Sequence, residues 1–237
     1  MGDGATVRKI LEIIQALQLD APGVISASLP HHSLYEGWQD EAGISAVTWT
    51  VTNPATGGAW ARGAVGSYLM AVSSPNANEF ARLRSNQRWV CAPSVYAPNQ
   101  IIRRFIIEFE SYLQLVGNID NANFLFGLTN AAGGTRASNN IIGFGLIADA
   151  LQTITDDGGL ETVNTGFGES MIALNKFKID IYSNTVDFYL NETLIAKHIT
   201  NLPNAPMYPN FYYPTEGGGA SIVSLGSIRC WTEDIAP

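Results

Sequence analysis

The stretch "KFKIDIYSNTVDFYLNETLIAKHITNLPNAPMYPNFYY" spans Lys176–Tyr213. Phe177, Ile179 and Ile181 alternate with Lys178, Asp180 and Tyr182, and Val186, Phe188 and Leu190 alternate with Asp187 and Tyr189. A strand sends successive side chains to opposite faces. This period of two therefore predicts two half-buried strands, Asn175–Tyr182 and Thr185–Leu190. Ser183-Asn184 between them predicts a tight antiparallel turn that puts both apolar triplets on one face. Asn191-Glu192 predicts a second turn, into a strand over Thr193–His198. Beyond it, "NLPNAPMYPNFYYPTEGGG" is rich in Asn, Pro and Gly, and by composition it reads as a long polar loop.

The same period recurs upstream. In "IIRRFIIEFESYLQLV", Phe105, Ile107 and Phe109 alternate with Arg104, Ile106, Glu108 and Glu110. Short apolar runs predict further strands in "NFLFGL" and "IIGFGLIA" and over Leu151–Thr155, Leu160–Val163 and Ala220–Trp231. Ala46–Thr52, Tyr68–Val72 and Phe80–Ser85 read as strands between turn residues, and 129–140 reads as a polar loop. Many short strands with regular turn signals mean an all-β sandwich or barrel.

The start differs. Val7, Ile10, Leu11, Ile14 and Leu17 recur at threes and fours, which predicts an amphipathic helix with Thr6 as N-cap and Pro22-Gly23 as its stop. A helix this short is marginal alone and needs a partner surface. Either it packs on its own domain or it bundles with sister chains. The expected division is 1–23 as a helix and linker for oligomerisation or docking, and 24–237 as one β-sandwich.

The chain has 237 residues, of which 46% are hydrophobic and 14% charged. That length buries a large core without disulfides or metals. The net charge is −8. Its densest cations, Arg82, Arg84, Arg88, Arg103 and Arg104, have Glu79, Glu108 and Glu110 close by in sequence. A nucleic-acid binder needs clustered cations to displace counterions, so that class is set aside. Cys91 and Cys230 fit two buried thiols or one bridge between distant strands. No run reads as a signal peptide or reaches a membrane-spanning length, so synthesis in the cytoplasm is expected.

The order "FKIDIYSNTVDFYLNETLIAKHITNLP", "APMYPNFYY" and "GGGASIVSLGSIRCW" resembles the C-terminal half of concanavalin A-like jelly-roll domains. That superfamily includes laminin-G-like modules, legume-type lectins and family 16 glycoside hydrolases. The resemblance rests on Val186–Asn191, Leu194–Ala196, Asn201–Pro203, Pro206–Met207, Phe211–Tyr213 and Ile228–Trp231. It covers roughly residues 100–232, with Asn191-Glu192 where Asn-Gly is usual. It implies a jelly-roll sandwich, with a strand at the aromatic "PM" segment that composition reads as loop. The whole chain also resembles tailed-phage proteins that join an N-terminal amphipathic segment, a "PGVISASLP"-like bridge and such a sandwich. This implies a virion protein: a head decoration, fibre or tail component. Its expected partners are sister subunits in a homo-oligomer such as a trimer, capsid or tail proteins, and cell-surface glycans.

The resemblance to family 16 hydrolases implies a Glu-x-Asp-x-Glu strand, whose alternation sets three carboxylates on one face. The chain has no such motif. Its nearest approach is Glu108-Phe109-Glu110, with Tyr112 where a third acid would stand. Those carboxylates are expected to be the polar alternates of a half-exposed strand. No catalytic residue is assigned, and the protein is expected not to be an enzyme. His31 and His32 are adjacent, so on an extended segment they point opposite ways and do not share a metal. Calcium occurs in several families of the superfamily. The oxygen-rich candidates for it are Asp120, Asn121 and Asn123, or Asp156, Asp157 and Glu161, but these residue types also build turns, and no metal or other cofactor is assigned. Trp38, Trp60, Tyr212 and Tyr213 are the candidate carbohydrate contacts, with Tyr208 in similar context. Aromatic residues also fill cores and interfaces, so all three uses stay open.

Overall fold

The computed structural model describes residues 33–36, 44, 46–53, 60–62, 69–72, 79–87, 89–90, 102–114, 124–130, 140–147, 150–167, 173–182, 184–203, 205–215 and 222–235. The helix expected from Val7, Ile10, Leu11, Ile14 and Leu17 lies outside the described residues, as do His31, His32, Trp38, Cys91 and Asp120.

The described chain is two eight-stranded antiparallel sheets. The first is built on β16 (Ile222–Ile235) and β7 (Ile102–Gln114). β12 (Asn175–Tyr182), β13 (Thr185–Leu190) and β14 (Thr193–His198) continue it beyond β7. β4 (Leu69–Val72), β3 (Trp60–Arg62) and β1 (Ser33–Glu36) lie on the far side of β16. The second sheet runs β11 (Glu161–Phe167), β10 (Ala150–Asp156), β9 (Ile141–Ile147), β8 (Phe124–Thr129) and β15 (Pro206–Thr215). β5 (Glu79–Ser85) and β2 (Trp49–Thr52) complete it, with β6 (Trp89–Val90) also paired to β15.

The alternation read in the sequence is the alternation of burial. Phe105, Ile107 and Phe109 on β7 are buried, as are Phe177, Ile179 and Ile181 on β12 and Val186, Phe188 and Leu190 on β13. They face an aromatic layer from the second sheet. Phe109 stacks on Phe177 at 5.1 Å between ring centres and 10° between planes. It meets Phe211 edge-on at 5.1 Å, and Phe126 and Phe144 at 6.2 Å each. Edge-to-face contacts suit the ring quadrupole and add to the area buried. Cys230 is a buried thiol in this core.

The second turn has Asn191 at φ 50° and Glu192 at φ 69°. Positive φ at both central residues is the two-residue hairpin geometry that favours Asn-Gly. Asn191 adds support for it. Its Oδ1 accepts from the Lys176 amide at 3.0 Å, and its Nδ2 donates to Asn175 Oδ1 at 2.8 Å. Gly127 faces Gly143 across the β8–β9 ladder. A Cβ on Gly127 would meet Ile142 O at 2.3 Å, so this close approach requires glycine.

The composition-based loop at 201–219 is corrected. Pro206–Thr215 is a strand, and it is central, between β8 and β5. Its prolines misled the reading because proline cannot donate to a ladder. Here Pro206 opens the strand, and Pro209 falls in the gap between β6 pairing at Met207 and β5 pairing at Asn210. One further boundary differs. Leu160 sits in a turn and is exposed, and β11 begins at Glu161.

Candidate functional site

The polar alternates of four strands meet on the outer face of the first sheet. In register, Glu108 on β7 lies opposite Lys178 on β12 and Arg229 on β16, and Glu110 lies opposite Lys176. Lys178 in turn lies opposite Tyr189 on β13. β16 breaks its ladder with β7 between Leu225 and Ile228. A bulge of this kind bends a strand and re-aims side chains, and bulges are frequent beside binding sites. Ser227 lies in this break. The result is a groove of about 550 Å³ lined by Glu108, Glu110, Lys176, Lys178, Tyr189, Glu192, Ser227 and Arg229. Three carboxylates and three cations balance across it.

One end of this face is braced. Arg104 donates from Nε to Asp180 Oδ1 at 2.8 Å, from a terminal nitrogen to Asp180 Oδ2, and to Glu233 Oε2 at 3.1 Å. The bidentate pair fixes geometry as well as charge. Hydrogen bonding to Asp180 pushes the Arg104 guanidinium above its ordinary value. The Trp231 indole N–H donates to Glu233 Oε1 at 2.9 Å. That bond, with Arg104 beside it, holds the Glu233 carboxyl below the usual carboxylate range. Lys178 Nζ lies 5.0 Å from the Tyr189 ring centre, and Arg229 stacks 4.7 Å from that of Trp231. Burial, with Asp187 nearby, pushes the Tyr189 phenol up.

The sequence candidates divide. Glu108 and Glu110 do line the groove. Trp60 and Tyr213 do not present a ring to a ligand: both lie on strands, 5% and 1% exposed, in the core. Tyr212 is half-buried on the outer face of the second sheet, 5.3 Å from the ring of Phe80. The Asp156–Glu161 segment is a turn. Asp156 Oδ1 accepts from the Gly158 amide at 2.7 Å, and Asp157 Oδ1 accepts from those of Gly159 and Leu160 at 2.9 and 3.0 Å. Those two amides, Leu160 first, hold the Asp157 carboxyl below its ordinary value. Among the described residues, no three His, Cys, Asp or Glu side chains group to hold a metal. Likewise, no described helix is long and apolar enough to cross a membrane.

His198 is a core residue between the sheets. Its Nδ1 is 2.9 Å from Thr155 Oγ1, and its Nε2 is 3.0 Å from Thr153 Oγ1 and 3.1 Å from Asn164 Nδ2. Thr155 Oγ1 donates onward to Thr200 O at 3.3 Å. These partners fit a neutral ring with the proton on Nδ1, because Asn164 can only donate to Nε2 and Thr155 then accepts from Nδ1. Burial pushes the imidazole down to about 4.

Sequence reasoning missed Tyr189, Lys176, Lys178, Glu192, Ser227 and Arg229 as groove residues. Their signal was the polar half of each alternation, which shows outward facing and not which strands are neighbours.

The architecture is a concanavalin A-like jelly-roll sandwich, the class that contains lectins and glucanases. Peanut lectin superposes with a TM-score of 0.61 at 10% identity, covering 88% of this chain and 100% of that one. The endo-1,3-beta-glucanase of Streptomyces sioyaensis superposes at 0.58 and 8% identity, covering 89% and 100%. The Bacillus licheniformis beta-glucanase superposes at 0.53 and 12% identity, covering 84% and 97%. Identities this low speak to the fold alone. No sequence-family model matches the chain, and no curated protein matches it.

Proposed function

We propose that this protein is a non-enzymatic, carbohydrate-binding attachment protein built on a lectin-like sandwich. We place it in a tailed-phage particle as a head decoration, fibre or tail component. The observation that carries the binding reading is the groove on the first sheet, with Tyr189 and Ser227 among charge-balanced acids and bases. Such a lining offers many donors and acceptors without a large net field, which suits the hydroxyls of a neutral glycan. The particle setting rests on the resemblance in the sequence.

The non-enzymatic part rests on Glu108 and Glu110. A hydrolase strand of this class sets three carboxylates on one face, and beside Glu108 and Glu110 the third position holds Tyr112. Here the register partners of both are cations: Lys178 and Arg229 for Glu108, Lys176 for Glu110. Incubation with laminarin or agarose is expected to release no new reducing ends. Release that disappears in Glu110→Gln would establish a hydrolase instead.

Assembly is the second element of the proposal. Light scattering on the full chain is expected to show a closed oligomer, and a version lacking residues 1–22 is expected to run as a monomer. A monomer in both cases would remove the helix from assembly and weaken the particle setting.

A further inference from the structure

The arginines that cluster in the sequence separate in space. Arg104 faces out from the first sheet, where Asp180 and Glu233 use its donors. Arg82 and Arg84 lie on β5 in the second sheet. Glu108 and Glu110 lie on the first sheet and so on the other side of the core, while Glu79 opens β5 itself, opposite Thr215.

Arg82 and Arg84 are two apart on one strand and share its outer face. Arg84 stacks 4.8 Å from the ring centre of Tyr208, and its buried Nε has no acceptor among the described residues. Arg82 lies 5.7 Å from that of Phe80 and donates to Thr52 Oγ1 at 3.1 Å. Stacking fixes the plane of a guanidinium while leaving its edge N–H groups free to donate. Burial and the charge of Arg84 push the Arg82 guanidinium down from its ordinary value, as expected for like charges held together. Asn210, fully buried, lies opposite Arg84 in register, and Tyr212 lies opposite Arg82. The pair stands out in a chain of net charge −8.

We propose that the outer face of the second sheet, at Arg84 and Arg82 between Tyr208 and Tyr212, binds the acidic group of a carboxylated or sulfated saccharide. A carboxylate or a sulfate offers two acceptor oxygens to the fork of a guanidinium, and the tyrosine rings flank it with surface for the C–H face of a sugar. A polyphosphate backbone would bring many charges against the net −8, whereas a sugar acid brings few. This site is independent of the groove on the first sheet.

The test is calorimetric titration of the full chain with trigalacturonate, a sulfated disaccharide and, as neutral control, maltotriose. At least one acidic sugar is expected to bind at Arg84, with affinity that falls as salt rises. Arg84→Gln is expected to weaken that binding by about tenfold or more, and Arg84→Lys, which keeps the charge and loses the fork, by less. Lys197→Gln, which removes a cation from the first sheet, is expected to leave it unchanged. Melting curves confirm folding, and should Arg84→Gln not fold, Arg84→Lys carries the comparison. Failure of both acidic sugars to bind overturns the proposal. So does binding that survives at Arg84 and is lost with Arg229→Gln, which would put the ligand in the groove.

Discussion

Phe109→Ala is expected to destabilise the fold by about 4 kcal/mol, the middle of the range for removing a buried aromatic ring. The ring is 2% exposed and meets four others, on both sheets. Truncation removes its transfer energy and leaves a cavity whose walls are Phe126, Phe144, Phe177 and Phe211. These rings sit on ladders of two different sheets, so collapse into the space is restricted, and a cavity that cannot collapse costs more. Urea unfolding with the slope held common reads the change directly. A loss below about 1 kcal/mol would mean that the two sheets do not close on this ring.

Acid is expected to weaken the fold through His198. The ring is 1% exposed, and its folded value lies near 4 against 6.5 for the free side chain. The folded value is depressed, so between these two points the unfolded chain binds a proton that the folded chain refuses. Stability therefore rises with pH across this window. The contribution is complete above about pH 6.5 and is lost as pH falls toward 4, up to about 3 kcal/mol for a shift of this size. Thr153, Thr155, Asn164 and Phe188, the ring's partners, do not titrate in this range. His198→Gln removes the titration. Chemical denaturation at pH 7 and pH 4.5 is expected to show a smaller acid loss in the variant than in the parent. Equal losses would place the acid sensitivity elsewhere.

The hairpins were legible because each rule was local. Alternation placed Phe177, Ile179 and Ile181 inward, and turn residues marked the ends of β12, β13 and β14. β15 was not legible from composition, since proline argues against a central strand; Pro209 falls in a pairing gap on one side, and Pro214 lies beyond the β8 ladder, which ends at Tyr212. The resemblance to jelly-roll domains had that strand right. The groove was half legible. Glu108 and Glu110 were singled out from one strand, but Arg229 and Tyr189 reach them through strand neighbours more than a hundred and about eighty residues away in sequence. The placement of charges was not legible for the same reason: Glu108 and Glu110 lie on the other sheet from Arg82 and Arg84, while Glu79 opens β5 itself. Aromatic type said little. Trp60 and Tyr213 went to the core, while Tyr189, an ordinary strand alternate, lines the groove.

The most direct test of glycan binding in this groove is one titration series. Neutral glycans are screened for binding, and the best is titrated into the parent and Tyr189→Ala, with the sugar recovered and sized afterwards. The account predicts saturable binding, a loss of about tenfold or more in Tyr189→Ala from the missing ring contact, and sugar recovered at its original length. No ligand up to millimolar concentration, binding indifferent to Tyr189, or sugar returned shortened would contradict it.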